Sequence, residues 1–440
     1  MQFSMDSSIF KDCSYFFNYF GNMMPFEFTG SEDEYLACRH TAWLGVVLNC
    51  TPILDIWGPD AVAFLNKTCV NRDFGEMKPG MSKHALICNE KGQLLADGVM
   101  MALEGGVFRS YWLAPLIQYY ILKSGMDVQC EYKQDEYFFQ IDGPKSLEIL
   151  EEACECDLHD IKFAHNRKVK ICGTDMTVHR LGMSGALAYE VHGAAADAEI
   201  AYTRIREVLL KFGGKLQGLK NYGILNHTPG GYPNQLQHYC YPYYSSGDAG
   251  LAEFAKKYII APPVNGSAAD EPEMYYVTPY ELGWGHCINF NHDFMGKEAL
   301  LAAKNTGRKC VTLEWDPDDV AEVFKSQFLG TDVQPYDAIH FTAQMSDPSE
   351  GYFTRADRVL DGEKTVGIAS GKTYAFYERK MISLAFIEPQ YAVEGTELAV
   401  LWGQPDGPQK KIRATVARFP YYQGEYRNET FDTEKIPHRY

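Results

Sequence analysis

Residues 58–100 read GPDAVAFLNKTCVNRDFGEMKPGMSKHALICNEKGQLLADGVM. A Gly58-Pro59-Asp60 turn opens the stretch, and Ala61, Phe64 and Leu65 follow at the spacing of one apolar helix face. Beyond the charged loop 71–78, alternation of His84, Leu86 and Cys88 with Ala85 and Ile87 predicts a strand. A turn at Glu90-Lys91-Gly92 then leads into a second strand over 93–103, making a hairpin. Asp97 stands in the middle of that otherwise apolar second strand. A buried carboxylate costs desolvation unless polar groups meet it, and Gly98 beside it leaves room for a ligand or another backbone. Asp97 is therefore the first candidate site residue.

Working outward, the Gly-Pro turn recurs. Ile56-Trp57-Gly58-Pro59-Asp60-Ala61 and Gln140-Ile141-Asp142-Gly143-Pro144-Lys145 both place a strand before a Gly-Pro turn and a helix after it. A strand–helix–strand unit used twice predicts two pseudo-symmetric halves packed around a shared face. Helices are expected over 115–123 and 195–212, and strands over 43–48, 53–57, 127–132 and 137–141, with two more flanking a turn at 182–185. Residues 213–270 are loop-rich and carry Tyr232, Tyr239, Tyr241, Tyr243 and Tyr244, an insertion long enough to be a lid or substrate wall. After Gly307 the pattern changes to strands over 309–314, 340–343, 365–370, 381–387, 397–401 and 411–417, which predicts a β-barrel domain. The expected fold class is α+β, with one region over 1–305 and a barrel domain over 306–440.

At 440 residues the chain is long enough for more than one domain. A net charge of −17 argues against wrapping a nucleic-acid backbone. The 12 cysteines show no Cys-x2-Cys pair, so neither a zinc ribbon nor a small disulfide scaffold is expected, and no metal site is assigned. No run of about 18 apolar residues suggests a membrane span, and residues 1–17 lack a basic leader with an apolar core. A cytoplasmic protein is expected.

The run around Asp97 resembles the folate-binding segment of the aminomethyltransferase (glycine-cleavage T protein) superfamily, in which a strand aspartate faces tetrahydrofolate. Further segments match in order: Leu181-Gly182-Met183-Ser184-Gly185 with Tyr189-Glu190-Val191; Tyr276-Val277-Thr278-Pro279-Tyr280-Glu281-Leu282-Gly283-Trp284-Gly285; His292 to Leu300; and Val366-Gly367-Ile368-Ala369-Ser370-Gly371 with Glu394-Gly395-Thr396-Glu397-Leu398. Within the superfamily the chain is most similar to tetrahydrofolate-dependent O-demethylases of the vanillate and syringate type. Asn291-His292-Asp293-Phe294 and Val311-Thr312-Leu313-Glu314-Trp315 carry that likeness. The resemblance implies an aminomethyltransferase-like fold, tetrahydrofolate as cofactor, and transfer of a methyl group from a small-molecule methoxy donor to N5. It also implies cofactor contacts at Asp97, Met183, Glu190 and Trp284, with Glu190 on the pterin edge.

The chain departs from those enzymes in the substrate pocket. Aligned without gaps through Arg39–Ala42, their N-terminal acid tyrosine falls on Gly21, their pocket glutamine and histidine on Val47 and Cys50, and their substrate-facing arginine on Leu113. Losing that arginine removes a bidentate grip on an aromatic carboxylate, so a neutral donor is expected. The aminomethyltransferase glutamate falls on Ala186. Tyr19, Tyr243 and Tyr244 are the candidate acids, since a tyrosine and a phenol share a pKa of about 10. His84 and His292 are read as structural, with Asp293 as a helix cap. Two other functions stand beside the demethylase: a glycine-cleavage aminomethyltransferase, and a folate-binding protein without catalysis.

Overall fold

The computed structural model describes residues 7–19, 22–45, 51–71, 73–235, 237–259, 263–304, 306–340 and 354–440, without the side chains of 19, 22 and 223–225. The Gly-Pro repeat corresponds to a repeated structural unit. In the first copy, strand Ile53–Trp57 and helix Ala61–Thr68 precede strands Ser82–Cys88, Leu94–Ala102 and Phe108–Tyr111, then helix Leu116–Ser124 and strand Gln129–Tyr132. In the second, strand Glu136–Asp142 and helix Ser146–Cys154 precede strands Asn166–Ile171, Thr174–His179 and Ala188–Ala194, then helix Ala198–Lys211 and strand Lys215–Gln217. Each copy lays its first strand beside its fourth, antiparallel. The second sheet gains Trp43–Gly45, which sits between Glu136–Asp142 and Lys215–Gln217.

Both sheets bury one face under their own helices. Leu54, Ile56, Ala85 and Ile87 meet Phe64, Leu65 and Ile117 in one core; Phe139, Ile141, Val178 and Val191 meet Leu147, Ala201 and Ile205 in the other. Because side chains alternate along a strand, the residues between these point to the opposite faces: Ser82, His84 and Asp97 in the first sheet, His179, Glu190 and His192 in the second. The two sheets join edge to edge. Ser82 N donates to Ala164 O at 2.9 Å and Asn166 N to Gly80 O at 2.8 Å, while Met81 bridges His165. The helix-free face of the first sheet borders a cleft whose other side includes Phe163, Ala164, Leu181, Gly182 and Met183 of the second repeat.

Six strands close the C-terminal barrel in the order Thr354–Asp361, Lys364–Ala375, Lys380–Ile387, Lys309–Trp315, Lys410–Ala417 and Glu397–Trp402, with Val359 opposite Val400 to complete the ring. Two of its elements are absent from the sequence reading. Helix Pro317–Ser326 starts at Asp316, whose carboxylate caps the amides of Asp318 and Asp319. Strand Thr354–Asp361 buries an Arg355–Asp357 ion pair at 2.8 Å in place of an apolar row. The strand expected over 340–343 falls on His340, which carries none, and on residues outside those described. Asp293 is not a cap, because helix Lys297–Ala302 begins at Gly296; it pairs with Lys297 instead. After the barrel the chain returns to the second repeat, where Phe431 and Ile436 join its core.

Gly98 shows how tightly the first sheet is packed. A Cβ there would lie 2.1 Å from Tyr111 O and 3.1 Å from Leu113 Cγ, so any side chain must push the strand end aside. Gly98→Ala should destabilise the protein by about 1–3 kcal/mol, read from the denaturant midpoint. An unchanged midpoint would show that this strand end yields freely.

Candidate active site

The cleft holds a cavity of about 300 Å³. Its apolar walls include Val99, Trp112, Phe163, Met183, Leu219 and Trp284, and its polar lining includes Ser82, His84, Asp97, His227, Asn234 and Gln237. Trp112 ends the Phe108–Tyr111 strand with φ +70°, a conformation that a bulky residue rarely adopts. It lines the cavity, while Leu113 is fully buried in the first repeat's core. Leu113, expected to face the substrate, therefore does not line the cavity, and an arginine there would enter an apolar core. Val47 and Cys50 lie outside the described residues.

The Asp97 carboxylate is met by three side chains from two parts of the chain. His84 Nε2 lies 2.9 Å from Oδ2, and the hydroxyls of Tyr239 and Tyr241 donate to Oδ1 at 2.5 and 2.6 Å. Tyr241 Oη also accepts from the Asp97 amide at 3.0 Å. Burial disfavours the carboxylate, but His84 and the two tyrosines hold its pKa below the ordinary value. Burial likewise works against charge on His84, yet Asp97, with Cys287 adding to it, carries that imidazole up to about 10. An ion pair therefore stands on the cavity wall at neutral pH. His84, read as structural from the sequence, faces the cavity and packs edge-on against Trp284 at 4.5 Å between centroids.

The tyrosines assigned as acids do not reach this place. Tyr243 is buried in the first repeat's core and Tyr244 is 52 % exposed. Neither lines the cavity. The tyrosines that reach Asp97 are Tyr239 and Tyr241, through hydroxyl hydrogen bonds to its carboxylate, and the signal available in the sequence was the Tyr-x-Tyr-x-Tyr alternation. Burial and the Asp97 charge push both hydroxyls well above the usual tyrosine range, so they remain proton donors to the carboxylate. Tyr19 ends strand Tyr15–Tyr19, and its side chain lies outside the described residues. Met183 and Trp284 line the cavity. Glu190 does not line it. Its carboxylate is engaged by His179 Nδ1 at 3.0 Å and His192 Nε2 at 3.4 Å.

A flat heterocycle with hydrogen-bonding edges needs aromatic faces and convergent polar atoms, and this cavity has both. Tyr232 Oη, Gln237 Oε1 and Glu429 Oε2 are buried with no hydrogen-bond partner among the described residues, and all three residues line the cavity. Buried polar atoms left unpaired are costly, so these positions suit a ligand that carries complementary groups. With Asp97 they would hold a pterin ring and its edge.

The fold and this site define a one-carbon transferase of the folate-binding kind. The GCVT N-terminal domain model matches residues 10–230. A sesamin methylene transferase from Sinomonas sp. is 44% identical, with 94% of this chain and 93% of the relative covered. A syringate O-demethylase from Sphingobium sp. is 30% identical over 90% of each chain. The crystal structure of glycine cleavage system aminomethyltransferase T from Bartonella henselae matches with a TM-score of 0.67 at 18% identity, covering 94% of this chain and 96% of that one. The chain belongs to the GCVT family. It is a one-carbon transferase, and its cofactor is tetrahydrofolate.

The ion pair sets a pH dependence. His84 is raised from 6.5, so its contribution to stability is complete below about pH 6.5 and fades as pH rises through about 10. Asp97 is lowered from 3.8, so its contribution is present above that value and is lost as pH falls through the depressed value. In Asp97→Asn, His84 should titrate more than about one unit closer to 6.5, followed by imidazole NMR. A His84 that keeps its native titration in that variant would show that Asp97 does not hold its proton.

Proposed function

We propose that this chain moves one carbon from a neutral aryl ether to N5 of tetrahydrofolate and releases the phenol. The observation that carries this reading is that, among the described residues, no lysine or arginine lining the cavity presents an unengaged charge. No arginine lines the cavity among the described residues. Lys83 turns its ammonium to the Asp73 carbonyl at 2.6 Å and over the Phe74 ring. His84 is already neutralised by Asp97, and Glu429 adds an acidic group to the wall. A donor carboxylate would be buried there unpaired, at a cost of several kcal/mol. A neutral ring instead meets Trp112, Phe163 and Trp284.

The two relatives are named for aryl ethers of opposite character. Sesamin, a neutral compound, carries its one carbon as a methylene bridging two ring oxygens, whereas syringate is an aromatic acid. The lack of an arginine in the cavity among the described residues favours the neutral type, with either a methoxy or a methylenedioxy carbon. A glycine-cleavage reaction is less well supported, because Ala186 stands in place of its glutamate and Ala96 in place of an acid before Asp97. No helix among the described residues is long and apolar enough to cross a membrane, and we place the reaction in the cytoplasm.

Tetrahydrofolate supplies the amine nitrogen that accepts the carbon. The chain must position the two molecules in line and deliver a proton to the departing oxygen. His84 is suited to that delivery. It carries a proton at neutral pH, and its value of about 10 lies near that of a phenol, about 10. Tyr239 and Tyr241 keep Asp97 ionised beneath it, and the apolar walls exclude water, so the charges act at close to full strength.

Neutral methoxy- or methylenedioxybenzenes should be preferred over vanillate or syringate by at least about 100-fold in kcat/KM, or roughly 2.7 kcal/mol. A donor panel assayed with tetrahydrofolate measures this. Efficient turnover of the acids with the neutral rings inert would mean that a cation reaches the donor from elsewhere.

A further inference from the structure

Opposite in protonation to His84, a second histidine stands behind the same strand face. Ser82 lies two residues from His84 and lines the cavity, so the two side chains share a face about 7 Å apart. Ser82 Oγ is 2.7 Å from His179 Nε2, and His179 Nδ1 is 3.0 Å from Glu190 Oε2. His179 is fully buried. We propose that Ser82, His179 and Glu190 form the base side of the active site, taking the proton that the attacking nitrogen gives up while His84 supplies the one that the departing oxygen needs. The proposal rests on the transfer reading above.

The tautomer follows from the partners. Glu190 is ionised: burial opposes its charge, but His179 and His192 hold its pKa below the ordinary value. An ionised carboxylate only accepts, so it requires the hydrogen of His179 on Nδ1. Nε2 then presents its lone pair to the Ser82 hydroxyl, which has one other acceptor, the Ala164 carbonyl at 3.0 Å. The groups facing His179 are Ser82, Glu190, His192 and His165. Burial pulls its pKa down, Glu190 opposes that, and the charges of His192 and His165 lower it further. The balance leaves His179 neutral. Behind Glu190, His192 Nδ1 meets Glu136 Oε1 at 3.3 Å, and Glu136 is held by Arg109 and by Tyr111 Oη at 2.7 Å. A nucleophile, an imidazole and an orienting carboxylate in this order are the arrangement that activates hydroxyls elsewhere. Two histidines driven apart in pKa mark the acid and the base of one site.

In the step itself, Ser82 Oγ takes the N–H proton of the attacking amine and passes its own hydrogen to His179 Nε2. A nitrogen–carbon bond forms as the carbon–oxygen bond breaks. The electron pair of the broken bond stays on oxygen, and His84 protonates it. Glu190 then faces a cationic His179, and proton exchange with water resets both histidines.

Two measurements on the full chain test the relay. In the protein labelled with ¹⁵N-histidine and without folate, His179 should be neutral at pH 7 with its hydrogen on Nδ1. In Ser82→Ala, kcat for a neutral aryl ether should fall about 100-fold, with KM for tetrahydrofolate within about twofold, and Ser82→Thr should recover most of the loss. A cationic His179, an Nε2–H tautomer, or a Ser82→Ala enzyme of native rate overturns the proposal while leaving the transfer reading intact. If the native chain moves no carbon from any donor, the transfer reading falls, and the imidazole spectra alone then decide whether this relay exists.

Discussion

A carboxylate in the middle of a strand is the constraint around which this molecule is built. Asp97 cannot stay ionised inside an apolar cleft without strong partners, and its partners come from two separate parts of the chain. His84 belongs to the neighbouring strand of the same hairpin, opposite Val99, and reaches Asp97 diagonally across the pair. Tyr239 and Tyr241 come from the insertion over 213–270, and their hydroxyls fasten that insertion to the first sheet. One carboxylate thereby keeps a histidine charged, orders a long connection and completes a cavity wall.

The doubled strand–helix unit provides the cleft. Each sheet covers one face with its own helices and leaves the other face bare. Joining the sheets along the Ser82–Cys88 and Asn166–Ile171 edges brings the connections at Phe163–Ala164 and Leu181–Met183 of the second repeat to the cleft beside the first sheet's bare face. The first sheet contributes an ion pair whose histidine is charged. The second contributes His179, Glu190 and His192, buried and interlocked. Electrostatic asymmetry between the two repeats, built on one backbone plan, suits a reaction in which one atom loses a proton and another gains one.

The fold was largely legible because alternation and turn chemistry repeat twice. The Gly-Pro turns, the hairpin and most barrel strands follow from period-two apolar patterns. Strand Thr354–Asp361 was not legible, since its buried row contains Arg355 and Asp357 and only their pairing makes burial tolerable. Helix Pro317–Ser326 carried its start signal openly in Asp316-Pro317, where an aspartate cap precedes a proline. Of the residues singled out in the sequence, Asp97, Met183 and Trp284 lie on the cavity wall. Leu113 points into the core because alternation near a strand sends neighbouring side chains to opposite faces. Trp112 faces the cavity in its place. Tyr239 and Tyr241 were missed because their target lies more than 140 residues away, and no local pattern records a partner at that distance.

The most direct test of the account follows the carbon itself. A neutral aryl ether labelled with ¹³C in its methoxy or methylenedioxy carbon is incubated with the protein and tetrahydrofolate, and the folate and phenol products are weighed by mass spectrometry. The account predicts that the label appears on the folate in equal amount to the phenol released, and that Asp97→Asn suppresses both. Label that stays on the donor, or phenol released at the same rate without tetrahydrofolate, would contradict it.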